Sequence, residues 1–298
     1  MSPERKPLDG TAAGLMVLLC FLWGGGHVAA KIAAEGIPLM FQAGLRSAIA
    51  AACLFAWARW RGVALFRRDG TLWAGTFAGL LFAGEFLFIF LGLATTGASR
   101  MVVFVYLAPC FTALGLQWLV PTERLNLRQW AGVLLAFAGV AVAFADGFLA
   151  ASGTLTGDFF GVLAAAFWGA TTVLVRATRL DSTSADKTLF YQLAISAVVL
   201  LAIAFAFGEA VVIALSPQVI ASLLYQSVIV SFASYLVWFW LLTRYLAGRL
   251  AVFSFLTPLF GVAAGVLVLS EPLTAGFGLA AVLVALGIYL VNRPGVPT

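Results

Sequence analysis

Apolar runs of about twenty residues follow one another along almost the whole chain, separated by short connectors that hold most of the charge. That length is what an α-helix needs to cross the hydrocarbon core of a bilayer. The pattern predicts ten membrane spans, at 11–33, 39–60, 71–94, 98–119, 128–145, 157–177, 187–207, 217–242, 249–269 and 275–292. Short segments of strict alternation, as an outer-membrane barrel requires, are absent. The first run lacks a small-residue cleavage site and is expected to be a retained helix.

Composition agrees with that reading. Of 298 residues, 63% are hydrophobic and only 10% charged, where a soluble domain carries roughly a quarter. The net charge of +5 is a topology signal and not a nucleic-acid one. With the N-terminus placed in the cytoplasm, the cytoplasmic connectors and ends collect 14 of the 17 Lys and Arg residues, the outer connectors only Lys31 and Arg100, and Arg46 lies within a span. The positive-inside rule then puts both termini in the cytoplasm. Cys20, Cys53 and Cys110 lie in apolar runs without metal-like spacing and read as small buried hydrophobes.

The chain also repeats itself. "FLWGGGHVAAK" at 21–31 is echoed by "AFWGATTVLVR" at 166–176, with Trp23 and Trp168 each followed by glycine and each eight positions before a basic residue. "SRMVVFVYLAP" at 99–109 matches "GRLAVFSFLTP" at 248–258, which aligns Pro109 with Pro258. Glu123, Asn126 and Gly139 align with Glu271, Thr274 and Gly287, where Asn126 and Thr274 suit helix N-caps. The offsets stay between 145 and 149. The repeats are 1–147 and 148–298, each with five spans. Five is odd, so the second half enters the membrane from the opposite side. Inverted repeats of this kind characterise many secondary transporters, with the substrate near the midplane between the halves.

These motifs resemble the drug/metabolite transporter superfamily, specifically its EamA-type two-repeat members, and within them the YddG-type exporters of aromatic amino acids. The resemblance rests on the Trp-Gly elements of spans 1 and 6, the proline motifs of spans 4 and 9 and the Glu-led starts of spans 5 and 10. One departure is that Phe277 and Ala280 stand where the first repeat has Gln129 and Gly132. The resemblance implies an all-α integral membrane protein, ten helices in two inverted five-helix repeats around a central cavity. Spans 1, 3, 4, 6, 8 and 9 would line the cavity, 2 and 7 would flank it, and 5 and 10 would support it from outside.

Candidate site residues follow from polarity and repeat position. Glu85 is the one acidic residue deep in a span, and intramembrane ionisable groups are functional candidates. A structural hydrogen bond is the alternative. Its counterpart in the second repeat is Ser234, so the halves differ in charge. His27 and Arg46 fall at comparable depth. His27 is a candidate or a satisfied core group, and Arg46, in a flanking span, is expected to snorkel or pair structurally. Trp23 and Trp168, Phe86 and Phe90 of span 3, Tyr106 of span 4, Tyr235 and Trp238 of span 8, and Ser254 and Phe255 of span 9 would give an aromatic-walled pocket, each with ordinary helix packing as the alternative. Pro109 and Pro258 are candidate hinges or fixed kinks.

The expected function is a secondary transporter that exports amino acids, aromatic ones first, across a bacterial inner membrane by alternating access. It would act as a monomer with a small-molecule substrate, the lipid bilayer as its surroundings, and no nucleic acid, metal, cofactor or enzymatic activity. No GxxxxGK[ST] sequence for ATP occurs. A sugar-phosphate or nucleotide-sugar carrier would need more cations in the spans than His27 and Arg46. An intramembrane transferase would need clustered Asp or a His with a nucleophile. A channel would need a continuous polar pore.

Overall fold

The computed structural model describes residues 5–6, 8–150, 154–209, 212, 214–270, 273 and 275–293. Among them the regular secondary structure is helical, with isolated bridge residues such as the pair Lys6 and Tyr245. The helices are α1 (Gly10–Ala33), α2 (Leu39–Trp60), α3 (Leu72–Leu93), α4 (Ala98–Val105), α5 (Ala108–Leu119), α6 (Leu127–Ala143), α7 (Ala145–Ala150), α8 (Leu155–Ala177), α9 (Ala185–Ala206), α10 (Pro217–Leu224), α11 (Tyr235–Leu242), α12 (Ala247–Ala251), α13 (Leu256–Leu269) and α14 (Phe277–Asn292). Some join end to end. Eight helical stretches among the described residues are long and apolar enough to cross a membrane, counting 98–119, 217–242 and 247–269 as single stretches. With large side chains such as Phe21, Phe77, Leu134 and Val198 facing outward, this is a multi-pass membrane protein. Two further apolar helices, α6 and α14, are shorter, at 17 and 16 residues.

Helix starts follow local chemistry. The Asp9 carboxylate accepts from the Ala12 amide at 2.8 Å and caps α1. Asn126 caps α6 in a reciprocal box with Gln129, each side chain accepting from the other's backbone amide at 3.0 Å. Glu271 and Thr274 lie outside the described residues. Span 4 breaks at Tyr106–Leu107, and Pro109 takes the second position of α5, where a missing amide hydrogen costs little. The matching stretch of span 9 is not broken but tightens into a 3₁₀ turn at Val252–Phe255. Span 8 widens into a π-helix over Tyr225–Ser234, where the Ser227 and Ser234 hydroxyls donate back to the carbonyls of Leu223 and Val230.

Packing partners cross between the two halves of the chain: α1 with α13, α5 with α8, α2 with α9, α3 with α8, and α6 with α14. Small residues make the close approaches, as expected where lipid supplies no hydrophobic drive between helices. A side chain's first carbon at Gly24 would lie 2.7 Å from the Gly261 nitrogen, and one at Gly169 2.7 Å from Phe111 Cβ and 3.0 Å from the Thr112 nitrogen. Phe111 and Thr112 are the repeat counterparts of Phe260 and Gly261, at the offset of 149 that joins the two prolines. The same contact is therefore made twice, with the halves exchanged.

Candidate functional site

The helices line a cavity of about 310 Å³, at the low end of the range for small-molecule sites. Its walls are mainly apolar and carry several aromatic rings. Rings succeed one another in edge-to-face contact from Phe86 to Phe82 (5.2 Å between centroids), Phe82 to Tyr235 (6.0 Å), Tyr235 to Trp23 (6.0 Å) and Trp23 to Trp238 (5.9 Å). This geometry favours ring pairs by their quadrupoles. Elsewhere in the lining Tyr106 meets Trp168 at 5.7 Å, again edge to face. The Trp23 indole N–H donates to the Ser234 Oγ at 2.8 Å, which fixes that ring against the π segment.

Of the residues singled out from the sequence, Trp23, His27, Glu85, Phe86, Phe90, Tyr106, Pro109, Trp168, Tyr235, Trp238 and Ser254 line this cavity together. The His27 Nε2 lies 3.4 Å from the Tyr106 hydroxyl, joining α1 to the break between α4 and α5. Glu85 is 93% buried, on α3. Phe255 does not line the cavity. It is fully buried with Val133, Leu259 and Val284 against α6 and α14. Neighbouring residues on this helical turn are about 120° apart, so Ser254 and Phe255 point in different directions, Ser254 in and Phe255 away. Pro258 is also buried and is not a wall residue.

Two expectations are corrected. The second and seventh spans do not merely flank the cavity: α2 contributes Leu39, Gln42, Ala43 and Arg46, and α9 contributes Gln192. Arg46 does not snorkel, and its pairing is with a ring and not with a carboxylate. Its guanidinium carbon stands 4.4 Å from the centroid of the Phe86 ring, a cation–π distance. Its Nε and Nη2 are buried without a hydrogen-bond partner. No ion pair joins it to Glu85 among the described residues. The sequence did hold a signal for this arginine. Gln42 and Arg46 are four apart and share one helix face, and at the offset of 146 between the starts of α2 and α9, Arg46 corresponds to Gln192. Thr112, Thr171, Thr172 and Gln226 are further wall residues that sequence reasoning passed over.

At the end of the bundle where α1 begins, a buried ionic cluster ties several elements together. The Arg176 guanidinium pairs with Glu123 and with Asp181, and Arg5 pairs with the same Asp181 while donating to the Leu242 carbonyl. Glu123 also accepts from the Gly248 amide at 3.3 Å, at the start of α12. Arg176 and Glu123 are nearly inaccessible, with side chains 4% and 1% exposed. The other end of the bundle has a second anchor, in which Arg100 pairs with Asp158 and lies 4.2 Å over the Phe148 ring. The cavity reaches toward that second end, as far as Leu39, the first residue of α2, and Leu93, the last of α3.

The chain resembles known proteins over nearly its full length. A model of the EamA-like transporter family matches residues 10–145 and again residues 155–293. A protein of Escherichia coli named a probable amino-acid metabolite efflux pump is 30% identical over 95% of this chain and 94% of its own. An uncharacterised transporter of Archaeoglobus fulgidus is 29% identical over 93% of this chain and 96% of its own. A solved crystal structure superposes with a TM-score of 0.79 over 95% of this chain and 98% of that one, at 19% identity, and so shares its fold.

Proposed function

The chain belongs to the EamA-like transporter family, and from that premise we propose that it is a secondary transporter exporting amino acids, aromatic ones first. The observation that carries this reading is the chain of rings from Phe86 to Trp238 along the wall of the central cavity. Such walls bury a planar apolar side chain and meet its edges. The efflux-pump name of the Escherichia coli relative supports amino acids as the class.

The mechanism in this reading is alternating access between two inverted halves, 1–147 and 148–298, each of five spans. The duplicate contacts at Gly24 and Gly169 support a two-fold relation, since each half presents the same surface to the other. At 1.5 Å per residue α6 and α14 measure about 25 Å, close to the thickness of the hydrocarbon core. The Lys and Arg distribution supports cytoplasmic termini in a bacterial inner membrane. The Arg5–Asp181–Arg176–Glu123 cluster then closes the cytoplasmic end, while the cavity extends to the outer ends of α2 and α3, an outward-facing arrangement. The break before Pro109 and the 3₁₀ turn before Pro258 are the hinges. Cells that express the chain and are fed a phenylalanine dipeptide should release phenylalanine faster than cells without it. Equal release rates would count against export.

A further inference from the structure

Two ionisable side chains in the cavity are left over from the packing of the helices. Arg46 lies over Phe86 with two guanidinium nitrogens unpartnered, and Glu85 is buried one residue before that ring without an ion pair among the described residues. Buried charges are normally paired. The two are level. Arg46 lies seven positions from the start of α2 and Glu85 eight from the end of α3, roughly 10 and 12 Å from the same face of the bundle. The second half carries neither charge, since Gln192 and Ser234 occupy the corresponding positions. The Ser234 hydroxyl is already committed, accepting from Trp23 and donating to the Val230 carbonyl.

We propose that Arg46 and Glu85 are a two-pole clamp for a zwitterion. Arg46 takes the carboxylate of an α-amino acid and Glu85 takes its ammonium. The side chain then lies along Phe82, Tyr235 and Trp23 toward Trp238. Phe86 holds the guanidinium by its face, which leaves the N–H fork free for a bidentate carboxylate. The clamp rests on the export reading for the site. It adds the charge pattern and orientation of the substrate, and it makes Arg46 a specificity residue.

The test is ligand binding to purified protein, followed by the fluorescence of the cavity tryptophans. Three probes are used: L-phenylalanine, 3-phenylpropionate, which lacks the ammonium, and 2-phenylethylamine, which lacks the carboxylate. Arg46→Gln should weaken phenylalanine and phenylpropionate by about 10- to 100-fold, the worth of a hydrogen bond to a charged group, and leave phenylethylamine within about twofold. Glu85→Gln should do the reverse. Retained phenylethylamine binding also shows that the Arg46→Gln cavity is folded. Arg46→Lys should fall between, having the charge without the fork. The clamp is overturned if Arg46→Gln and Arg46→Lys weaken all three probes alike, if neither substitution has an effect, or if the unaltered protein binds none of the probes. Phenylalanine transport by the unaltered protein in vesicles decides the export reading separately. The crosswise pattern without transport would reject export and keep the clamp, and transport without the pattern would reject the clamp alone.

Discussion

Replacing Gly24 by alanine sets two opposing effects against each other on one helix. Alanine favours a helix over glycine by roughly 1 kcal/mol. At Gly24, however, the new carbon would lie 2.7 Å from the Gly261 nitrogen and 2.8 Å from the Phe260 carbonyl carbon. Both are backbone atoms, which cannot rotate aside, so α1 and α13 must separate. Overpacking of this kind costs about 1–3 kcal/mol. Gly14, ten residues earlier on the same helix, has nothing within 4 Å of the position its side chain would take. Gly14→Ala should therefore gain the propensity term alone, and the two variants should differ by roughly 1–3 kcal/mol. Thermal unfolding in detergent reads this through a thiol-reactive dye that reports Cys20, fully buried in the fold, in a background where the partly exposed Cys53 and Cys110 are replaced by alanine. The Gly24 variant should melt several degrees below the Gly14 variant, and Gly169→Ala should resemble Gly24→Ala. A Gly24 variant as stable as the Gly14 variant would refute the close approach of α1 and α13.

Glu123→Gln should lower the unfolding free energy by about 1–3 kcal/mol, because Arg176 loses a buried charged acceptor but keeps Asp181. The same melting assay measures it, and an unchanged midpoint would remove the cluster from the list of stabilising contacts. Asp69, in the connector between α2 and α3, accepts from the Lys187 ammonium at 2.7 Å and from the Thr71 hydroxyl. These bonds, the lysine's first, hold its carboxyl at about 2, below the ordinary 3.8. The folded value is the lower one, so this contribution is complete above pH 3.8 and is lost as pH falls toward 2. Melting midpoints between pH 5 and pH 2.5 should fall less steeply in Asp69→Asn than in the unaltered protein, and parallel curves would contradict the assignment.

Much of the fold could be read in the sequence because lipid imposes simple demands. Helix lengths follow from the membrane, and the apolar runs place the ends of α1, α2 and α3 within one or two residues. Proline marks the break before α5. The π-helix at 225–234 has no such mark, and the serine hydroxyls that bond back to carbonyls there are ordinary in any helix. Phe255 was a candidate by its place before Pro258, parallel to Tyr106 before Pro109, and position in the repeat does not tell which way a side chain on that turn faces. Arg46 was misjudged for another reason. A single arginine on an apolar helix is ordinarily explained by its reach to the membrane surface, and only the packing of α2 beside α3 shows that it turns onto Phe86 inside the cavity. Glu85 and the paired tryptophans stood out because polarity within a span and repetition across the halves are properties of the sequence itself.

Substrate counterflow tests the central claim most directly. Proteoliposomes containing the purified protein are loaded with unlabelled phenylalanine, tyrosine or tryptophan and diluted into labelled phenylalanine. The export reading predicts transient accumulation of label that unlabelled aromatic amino acids support and a phosphorylated sugar does not. Absence of counterflow with all three amino acids, together with accumulation driven by the phosphorylated sugar, would contradict it.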